Sequence, residues 1–259
     1  MIEGLDISII APAFVAGLLV LATHVPLGRE VIKRGIIFID LAIAQIAGLG
    51  VIIASHAGWE PHGVEVQLIA MGSALTGAFL LSRAERFFGQ YQEAAIGVTF
   101  VLAATAGIIL LANNPQGGEH LKELLVGQIL WVEWQQLLMP ALIACITLSL
   151  WFAKPVLFHR SSFYLFFAVA VTSSVQLVGI YLVFASLIVP ALATIKITSN
   201  QRAFWLAYVL GAAGYGLGLL CSALFDLPSG AVIVWVMFLL TILVSFLKNR
   251  CNNLLSAQT

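Results

Sequence analysis

Residues 163–195 read FYLFFAVAVTSSVQLVGIYLVFASLIVPALATI and contain no charged side chain. A transmembrane helix needs about 20 mostly apolar residues, so this stretch is long for one span and short for two full spans. We expect the break between its halves at Val178-Gly179, because glycine loosens a helix interior. The stretch therefore predicts a pair of apolar helices, one of which is short, tilted or re-entrant.

The rest of the chain has the same apolar character. Of its 259 residues 61% are apolar and 9% are charged, whereas a soluble domain carries roughly 25% charged residues. Further apolar runs cover about 7–26, 36–55, 66–82, 94–112, 136–153, 203–225 and 230–247. The composition predicts an all-α polytopic integral membrane helix bundle with eight to nine spans, forming one transmembrane domain over residues 1–259 in a lipid bilayer.

Several classes of protein are disfavoured by the same composition. The apolar runs leave no room for a water-soluble catalytic domain, and no basic patch interleaved with aromatic residues indicates nucleic acid as a partner. The start of the chain lacks the basic region of a cleaved signal peptide, so the first run is expected to be a retained span. Neither a nucleophile-base-acid arrangement nor a phosphate-binding GxxxxGK loop is visible. The chain is therefore not expected to be an enzyme or to bind ATP itself.

The charged residues sort to opposite ends of these spans. One end holds Arg29, Lys33, Arg34, Arg83, Arg86, Lys154, Arg160, Lys196, Arg202, Lys248 and Arg250. The other end holds Lys122 and the acids Glu3, Asp6, Glu60, Glu65, Glu119, Glu123, Glu133 and Asp226. Cytoplasmic loops carry an excess of Lys and Arg. The sorting therefore predicts an N-terminus outside and a C-terminus in the cytoplasm.

One acid, Asp40, lies inside a predicted span, about one turn from its start. Ionisable groups at membrane depth are costly and are functional-site hypotheses by default. Asp40 is either an acid at a helix N-terminus, paired with Arg34 or Lys33, or an oxygen ligand on a cation pathway. Gln45 and Gln176 are uncharged polar side chains that could line the same path. Pro190 is expected to break helix geometry there, because proline removes a backbone hydrogen bond.

Two predicted outer loops carry residues of the metal-ligand type. His56 and His62 lie in SHAGWEPHGVE, residues 55–65, and Glu119 and His120 lie in the loop over 113–135. Imidazole and carboxylate suit zinc or manganese, so these four residues are candidate outer metal contacts, although their spacing matches no defined site. The apolar spacing from Glu119 to Val132 predicts a short amphipathic helix. It is either a surface helix lying on the bundle or a lid or docking surface for an outer partner.

Five stretches, taken in order, resemble one known family. They read PLGREVIKRGIIFIDLAIAQIAGLG (26–50), QEAAIGV (92–98), LKELLVGQILWV (121–132), VGIYLVFASLIVPALAT (178–194) and DLPSGAVIV (226–234). Each is weak alone, but the ordered set is similar to the permease subunits of zinc, manganese and iron ABC importers. Arg34 and Asp40 keep the six-residue separation of that family.

The resemblance implies a homodimer of permeases, a cytoplasmic ABC ATPase subunit and a periplasmic or extracellular metal-binding protein. It places the chain in a bacterial cytoplasmic membrane as a multi-pass protein. The implied cargo is a divalent metal, with zinc first and manganese or iron as alternatives, and no cofactor is expected on this chain. A permease for metal chelates, a secondary transporter driven by an ion gradient and a polytopic membrane enzyme remain as alternatives.

The chain departs from the family pattern at two places. The family histidine four residues after the Asp is Ala44 here, with Gln45 beside it. The family also carries a longer cytoplasmic stretch after the fifth span, whereas this chain has only KPVLFHRSS, residues 154–162. Coupling to an ATPase would then use that short loop, the RAERFFGQYQE loop (83–93) or the ITSNQR loop (197–202).

Overall fold

The computed structural model describes residues 7–59, 63–112, 114–115, 117–153 and 161–256, and within them the fold is entirely helical. Ten α-helices follow one another along this part of the chain: α1 Ile7–Arg34, α2 Ile39–His56, α3 Val64–Phe88, α4 Gln92–Leu111, α5 Gly117–Val126, α6 Leu138–Ala153, α7 Ser161–Val178, α8 Ile180–Ala193, α9 Asn200–Phe225 and α10 Ser229–Ser256. Short 3₁₀ turns cover Gly89–Tyr91, Ile129–Trp131 and Trp134–Leu137. The prediction of an all-α protein is confirmed.

Length and composition separate the apolar helices into two groups. Five stretches of the described chain are long and apolar enough to cross a membrane: Ile7–Arg34, Ile39–His56, Val64–Leu111, Trp134–Ala153 and Gln201–Phe225. The third of these contains both α3 and α4. Shorter apolar helices cover Ser162–Val178, Ile180–Ala193 and Ser229–Val244. The count of eight to nine spans and the direction of the termini stay predictions.

Two helices continue past the ends that the sequence predicts. The expected ends at residues 26 and 82 stand just before the basic clusters, but α1 runs on to Arg34 and α3 to Phe88. Lys, Arg, Glu and Ala are strong helix formers, so a charge marks the edge of the membrane and not the end of the helix. In α1 the extra turn also carries an ion pair, with Arg34 Nε 2.9 Å from the Glu30 carboxylate.

The helices α7 and α8 form a pair joined by a bend at Gly179. Its φ of 81° lies in the left-handed region, which glycine adopts without steric cost. The start of α7 and the second half of α8 both lie near the last two turns of α1. The Arg34 guanidinium stands 4.1 Å above the Phe163 ring, and a Cβ atom on Gly28 would lie 1.9 Å from the Leu187 carbonyl oxygen. The predicted break at Val178-Gly179 is confirmed.

The helix α2 lies at the centre of one half of the bundle. It packs against α3, α4 and α7, while α1 packs against α8 and α9. The start of α2 is among its most buried parts, from Ile39 to Gln45 except for Leu41. Small residues allow close packing elsewhere, as at Gly214 and Gly218, which face Met237 and Ile233 of α10. This arrangement puts Asp40 inside the protein.

Candidate functional site

Asp40 is the second residue of α2 and is fully buried. Neither of its carboxylate oxygens has a hydrogen-bond partner in the described part of the chain. Arg34, which the sequence offered as a partner, donates from Nε to Glu30 and lies over the Phe163 ring. The hydrogen-bonded pair of Asp40 with Arg34 or Lys33 is therefore not formed. Buried acids in membrane proteins are usually paired or face a polar cavity, so Asp40 is the side chain that most needs a ligand.

The start of α2 is held from outside by the first turn of α4. The Glu93 carboxylate accepts a hydrogen bond from the Phe38 backbone N–H at 3.1 Å, and Phe38 is the residue that precedes α2. An oxygen in this place satisfies one of the free donors at a helix N-terminus. The neighbouring Gln92 amide donates to the Tyr164 hydroxyl at the start of α7. Sequence reasoning noticed QEAAIGV only as a motif and missed that its first two residues join α4 to α2 and α7.

The remaining candidate path residues lie at different depths of the bundle. Gln45 is nearly buried on α2, about one turn beyond Asp40. Gln176 is exposed, thirteen residues beyond Phe163 on α7, which corresponds to about 20 Å along the helix. The structure thus does not gather Asp40 and Gln176 in one place. They could contribute only to successive parts of a path.

Pro190 lies inside α8, which continues to Ala193. The helix therefore does not end at the proline, and the part of Pro190 in a path stays a prediction. The Thr194 hydroxyl donates to the Pro190 carbonyl at 3.1 Å. Because proline has no backbone N–H, the carbonyl of Ser186, four residues earlier, receives no helix hydrogen bond from position 190.

The helix α5 lies against the bundle, with its apolar side chains half-buried and its charged ones exposed. It ends at Val126, earlier than the predicted Val132. Leu124 Cδ1 would touch a Cβ atom placed on Gly48, midway along α2, at 3.7 Å. A Cβ atom on Gly230, at the start of α10, would lie 2.5 Å from the Val126 carbonyl oxygen. The end of α5 therefore meets both α2 and α10.

The closest contact in this region joins two glycines. Gly127 follows α5 with a φ of 70°, and Gly179 bends the α7–α8 pair. A Cβ atom on Gly179 would lie 2.3 Å from the Gly127 amide nitrogen, and one on Gly127 would lie 2.3 Å from the Val178 carbonyl oxygen. The two backbones touch without side chains between them. We refer to this contact as the glycine clasp.

A small hollow opens beside the glycine clasp. Its volume is about 200 Å³, and its lining includes Gln128, Trp131 and Ser229. These residues belong to the segment after α5 and to the start of α10. The hollow is large enough for water molecules or a hydrated ion, because one water needs about 30 Å³ of liquid volume. By the predicted orientation it faces the outer side.

The four candidate outer metal contacts do not form a centre in the described part of the chain. His56 is the last residue of α2 and is exposed, and Glu119 is exposed in the first turn of α5. His62 lies outside the described residues, and for His120 only the place in α5 is described. Among the described residues no three His, Cys, Asp or Glu side chains come together to hold a metal ion. A metal contact in these loops stays a prediction.

Comparison with known proteins gives consistent matches over most of the chain. The model of the ABC 3 transport family matches residues 6–160 and 153–248. A manganese transport system membrane protein, MntC of Listeria monocytogenes, is 28% identical, with 91% of this chain and 89% of that protein covered. A membrane protein assigned to an iron transport system of Haemophilus influenzae is 24% identical, with 90% of this chain and 92% of that protein covered.

Solved structures share the fold at lower identity. A chain of PsaBC from Streptococcus pneumoniae, solved with a Fab, superposes with a TM-score of 0.71 at 22% identity and covers 90% of both chains. A chain from an inward-facing ABC transporter assigned to the metal-chelate type superposes with a TM-score of 0.64 at 17% identity. The superposition covers 91% of this chain and 85% of the transporter chain. Both likenesses concern the arrangement of the helices.

Proposed function

Because this chain belongs to the ABC 3 transport family, we propose that it is the membrane-spanning permease subunit of an ATP-driven importer for a divalent metal ion. The observation that carries the proposal is Asp40, a fully buried carboxylate at the start of a central helix, without a hydrogen-bond partner among the described residues. A buried charge needs an opposite charge nearby. A passing divalent cation would supply it.

The proposed path runs from the outer hollow to Asp40. The glycine clasp closes the outer part, where Gly127 and Gly179 meet. Gln176 and Gln45 provide amide oxygens at successive depths, and Pro190 lies on the neighbouring helix α8. Asp40 provides the carboxylate at the inner part. The candidate ligands His56, His62, Glu119 and His120 would meet the metal before it enters.

The donor types bear on the choice of metal. Carboxylate and carbonyl oxygens suit manganese, whereas imidazole suits zinc and iron. Ala44 supplies no imidazole beside Asp40. The sequence analysis puts zinc first, but the oxygen donors of Asp40 and Gln45 favour manganese, and named relatives belong to manganese and iron transport systems. We therefore place manganese first, with zinc and iron as competitors in the test below.

The proposed assembly contains more than this chain. Two copies would form a homodimer around the path, a separate cytoplasmic ABC ATPase would hydrolyse ATP, and an outer metal-binding protein would deliver the ion. Each copy would be one transmembrane domain with its N-terminus outside and its C-terminus in the cytoplasm. The membrane would be the bacterial cytoplasmic membrane.

The test is uptake of manganese, zinc and iron into vesicles that hold the permease with its candidate ATPase and binding protein. Wild type is compared with Asp40→Asn, which removes the charge at constant size. Asp226→Asn is the matched control, because Asp226 is exposed after α9 and has a φ of 51°, a conformation that asparagine also tolerates. We expect ATP-dependent uptake of one metal in wild type and in Asp226→Asn, and at least about tenfold slower uptake in Asp40→Asn, equivalent to about 1.4 kcal/mol.

Three results would contradict the proposal. Unchanged uptake by well-folded Asp40→Asn would remove Asp40 from the path. Uptake that follows an ion gradient and ignores ATP would indicate a secondary transporter. If the subunits assemble but no free metal is taken up, a metal chelate becomes the substrate to test, as Ala44 in place of the family histidine would suggest.

A further inference from the structure

The turn between α3 and α4 exposes a set of aromatic side chains. Phe87 is 85% exposed, Tyr91 is 66% exposed and Phe88 is 52% exposed. They lie on or beside a short 3₁₀ turn, Gly89–Tyr91. We call the segment from Arg83 to Tyr91 the aromatic turn. Large apolar side chains exposed close together in the sequence at a loop are a feature of interaction sites.

The length of α3 places these side chains beyond the hydrocarbon core of a bilayer. The helix from Val64 to Arg83 is about 28 Å long at 1.5 Å per residue, which matches a core of about 30 Å. Phe87 lies one further turn along the helix, about 6 Å past Arg83. At this depth the Phe87 ring is bordered by lipid headgroups rather than acyl chains, so a protein partner could bury its exposed surface.

The most exposed charges of the aromatic turn are basic. Arg83 and Arg86 are exposed, and the Arg83 guanidinium stands 5.0 Å above the Phe79 ring. The acid within the turn, Glu85, is half-buried and interacts with the Tyr164 hydroxyl. The exposed surface is thus aromatic with a basic rim. It is complementary to an apolar cleft with an acidic rim on a partner in the cytoplasm.

The other two candidate coupling segments are less suited to such a contact. The turn between α8 and α9 exposes Ile195 and several polar side chains. No aromatic residue lies within 194–202, and the next exposed ring, Trp205, lies further along α9. The connection after α6, residues 154–160, lies outside the described residues, and the two matched segments of the family model meet there. The short length of that connection makes it a poor site for the extended docking segment that the family resemblance implies.

The aromatic turn is also joined directly to the helix that carries Asp40. Immediately after Tyr91, Gln92 donates to the Tyr164 hydroxyl of α7. The next residue, Glu93, accepts from the Phe38 N–H before α2. A displacement of the turn would therefore act on the starts of two helices through hydrogen bonds that the structure shows.

We propose that the aromatic turn is the docking site for the ATPase subunit of the transporter. The proposal rests on the proposed function, since it needs an ATPase partner. Phe87 and Tyr91 insert into an apolar cleft of that subunit, and Arg83 and Arg86 face acidic residues at its rim. The hydrogen bonds of Gln92 and Glu93 carry the motion of the bound subunit to α7 and α2.

The experiment is photo-crosslinking in membranes that contain the full transporter. Benzoylphenylalanine replaces one phenylalanine at a time, at Phe87, Phe152 or Phe225. Phe152 precedes the short connection after α6. Phe225 is the last residue of α9, at the end that the predicted orientation places outside. Both side chains are 69% exposed. Crosslinked proteins are identified by mass spectrometry, and a partner counts as the ATPase only if it carries the GxxxxGK phosphate loop and hydrolyses ATP.

We expect the ATPase to crosslink at Phe87 and not at Phe225, with Phe152 weaker than Phe87. A second measurement is recovery of the ATPase with the purified permease. Recovery is expected to fall at least about tenfold in a Phe87→Ala, Tyr91→Ala double variant, because buried aromatic anchors dominate interface affinity. Phe225→Ala should leave it unchanged.

The outcomes separate this proposal from the proposed function. If the ATPase is recovered with wild type but crosslinks at Phe152 alone, or if Phe87 crosslinks lipid alone, the docking site is wrong and the permease function stands. The same conclusion follows if the double variant retains the ATPase at the wild-type level. If no ATPase is recovered with wild type by either method, the proposed function itself fails.

Discussion

Replacing Gly179 with alanine would test the glycine clasp more directly than any other substitution. Gly179 has φ 81° and ψ 164°, a region that is essentially restricted to glycine and costs other residues of order 1–3 kcal/mol. The new Cβ atom would also lie 2.3 Å from the Gly127 amide nitrogen and 2.6 Å from its Cα. The neighbours are backbone atoms, so no side-chain rotation can relieve the contact. Overpacking of this kind adds about 1–3 kcal/mol.

The two terms together predict that Gly179→Ala lowers the free energy of unfolding by about 2–6 kcal/mol. For a chain of roughly 250 residues each kcal/mol shifts Tm by about 2–4 °C, so Tm should fall by at least about 4 °C. Thermal unfolding in detergent, followed by far-ultraviolet circular dichroism, measures the shift. Size-exclusion chromatography before heating confirms that the variant is folded.

Gly72→Ala is the matched control for this substitution. Gly72 lies within α3, and beyond the adjoining backbone of that helix a Cβ atom there would meet no described atom within 4 Å. Alanine is favoured over glycine in a helix interior by about 1 kcal/mol, so Gly72→Ala should leave Tm unchanged or raise it. If Gly179→Ala unfolds within 1 °C of Gly72→Ala, roughly the resolution of such a melt, the reasoning about the glycine clasp is refuted.

Two further substitutions test the polar contacts between helices. Glu93→Ala removes the acceptor of the Phe38 N–H and should lower the free energy of unfolding by about 0.5–2 kcal/mol. Glu93→Gln keeps an acceptor oxygen and should have a Tm close to that of wild type. Equal Tm values for the two variants would contradict a capping role. Tyr215→Phe removes the buried hydrogen bond to Ser186 and should lower the free energy of unfolding by about 0.5–1.5 kcal/mol. The control is Tyr181→Phe, at an exposed position, which should not change Tm. An equal Tm shift in both variants would contradict a stabilising role of the Tyr215–Ser186 bond.

The parts of the fold that depend on local sequence could be predicted. The apolar runs fixed the places of the helices, and the awkward length of residues 163–195 indicated a break that the structure puts at Gly179. The ends of α1 and α3 could not be predicted from charge, because Arg and Glu mark the polar region but also favour helix. The helix pattern of α5 was visible, but its periodicity contains no information about which helices its end contacts.

The candidate site was only partly accessible to sequence reasoning. Asp40 stood out because an acid in an apolar run is unusual, and the structure shows that it is buried. Its neighbours along the chain suggested an ion pair, yet Arg34 lies one turn from Glu30 and binds it instead. The link from Glu93 to Phe38 joins residues 55 positions apart. A single sequence contains no signal for such a contact, and the same is true of the approach of Gly127 to Gly179.

The helix α7 connects the proposed docking site with the glycine clasp. Its first turn carries Tyr164, which is bonded to Gln92 beside the aromatic turn, and its last residue, Val178, touches Gly127 in the glycine clasp. The 18 residues of α7 span about 27 Å as a rigid rod, nearly the thickness of the hydrocarbon core. Because the clasp has no side chains between its backbones, even a small tilt of this rod would separate Gly179 from Gly127. In the proposed transporter, docking at one end and opening at the other would then be consequences of one motion, and Asp40 lies on α2, which packs against α7.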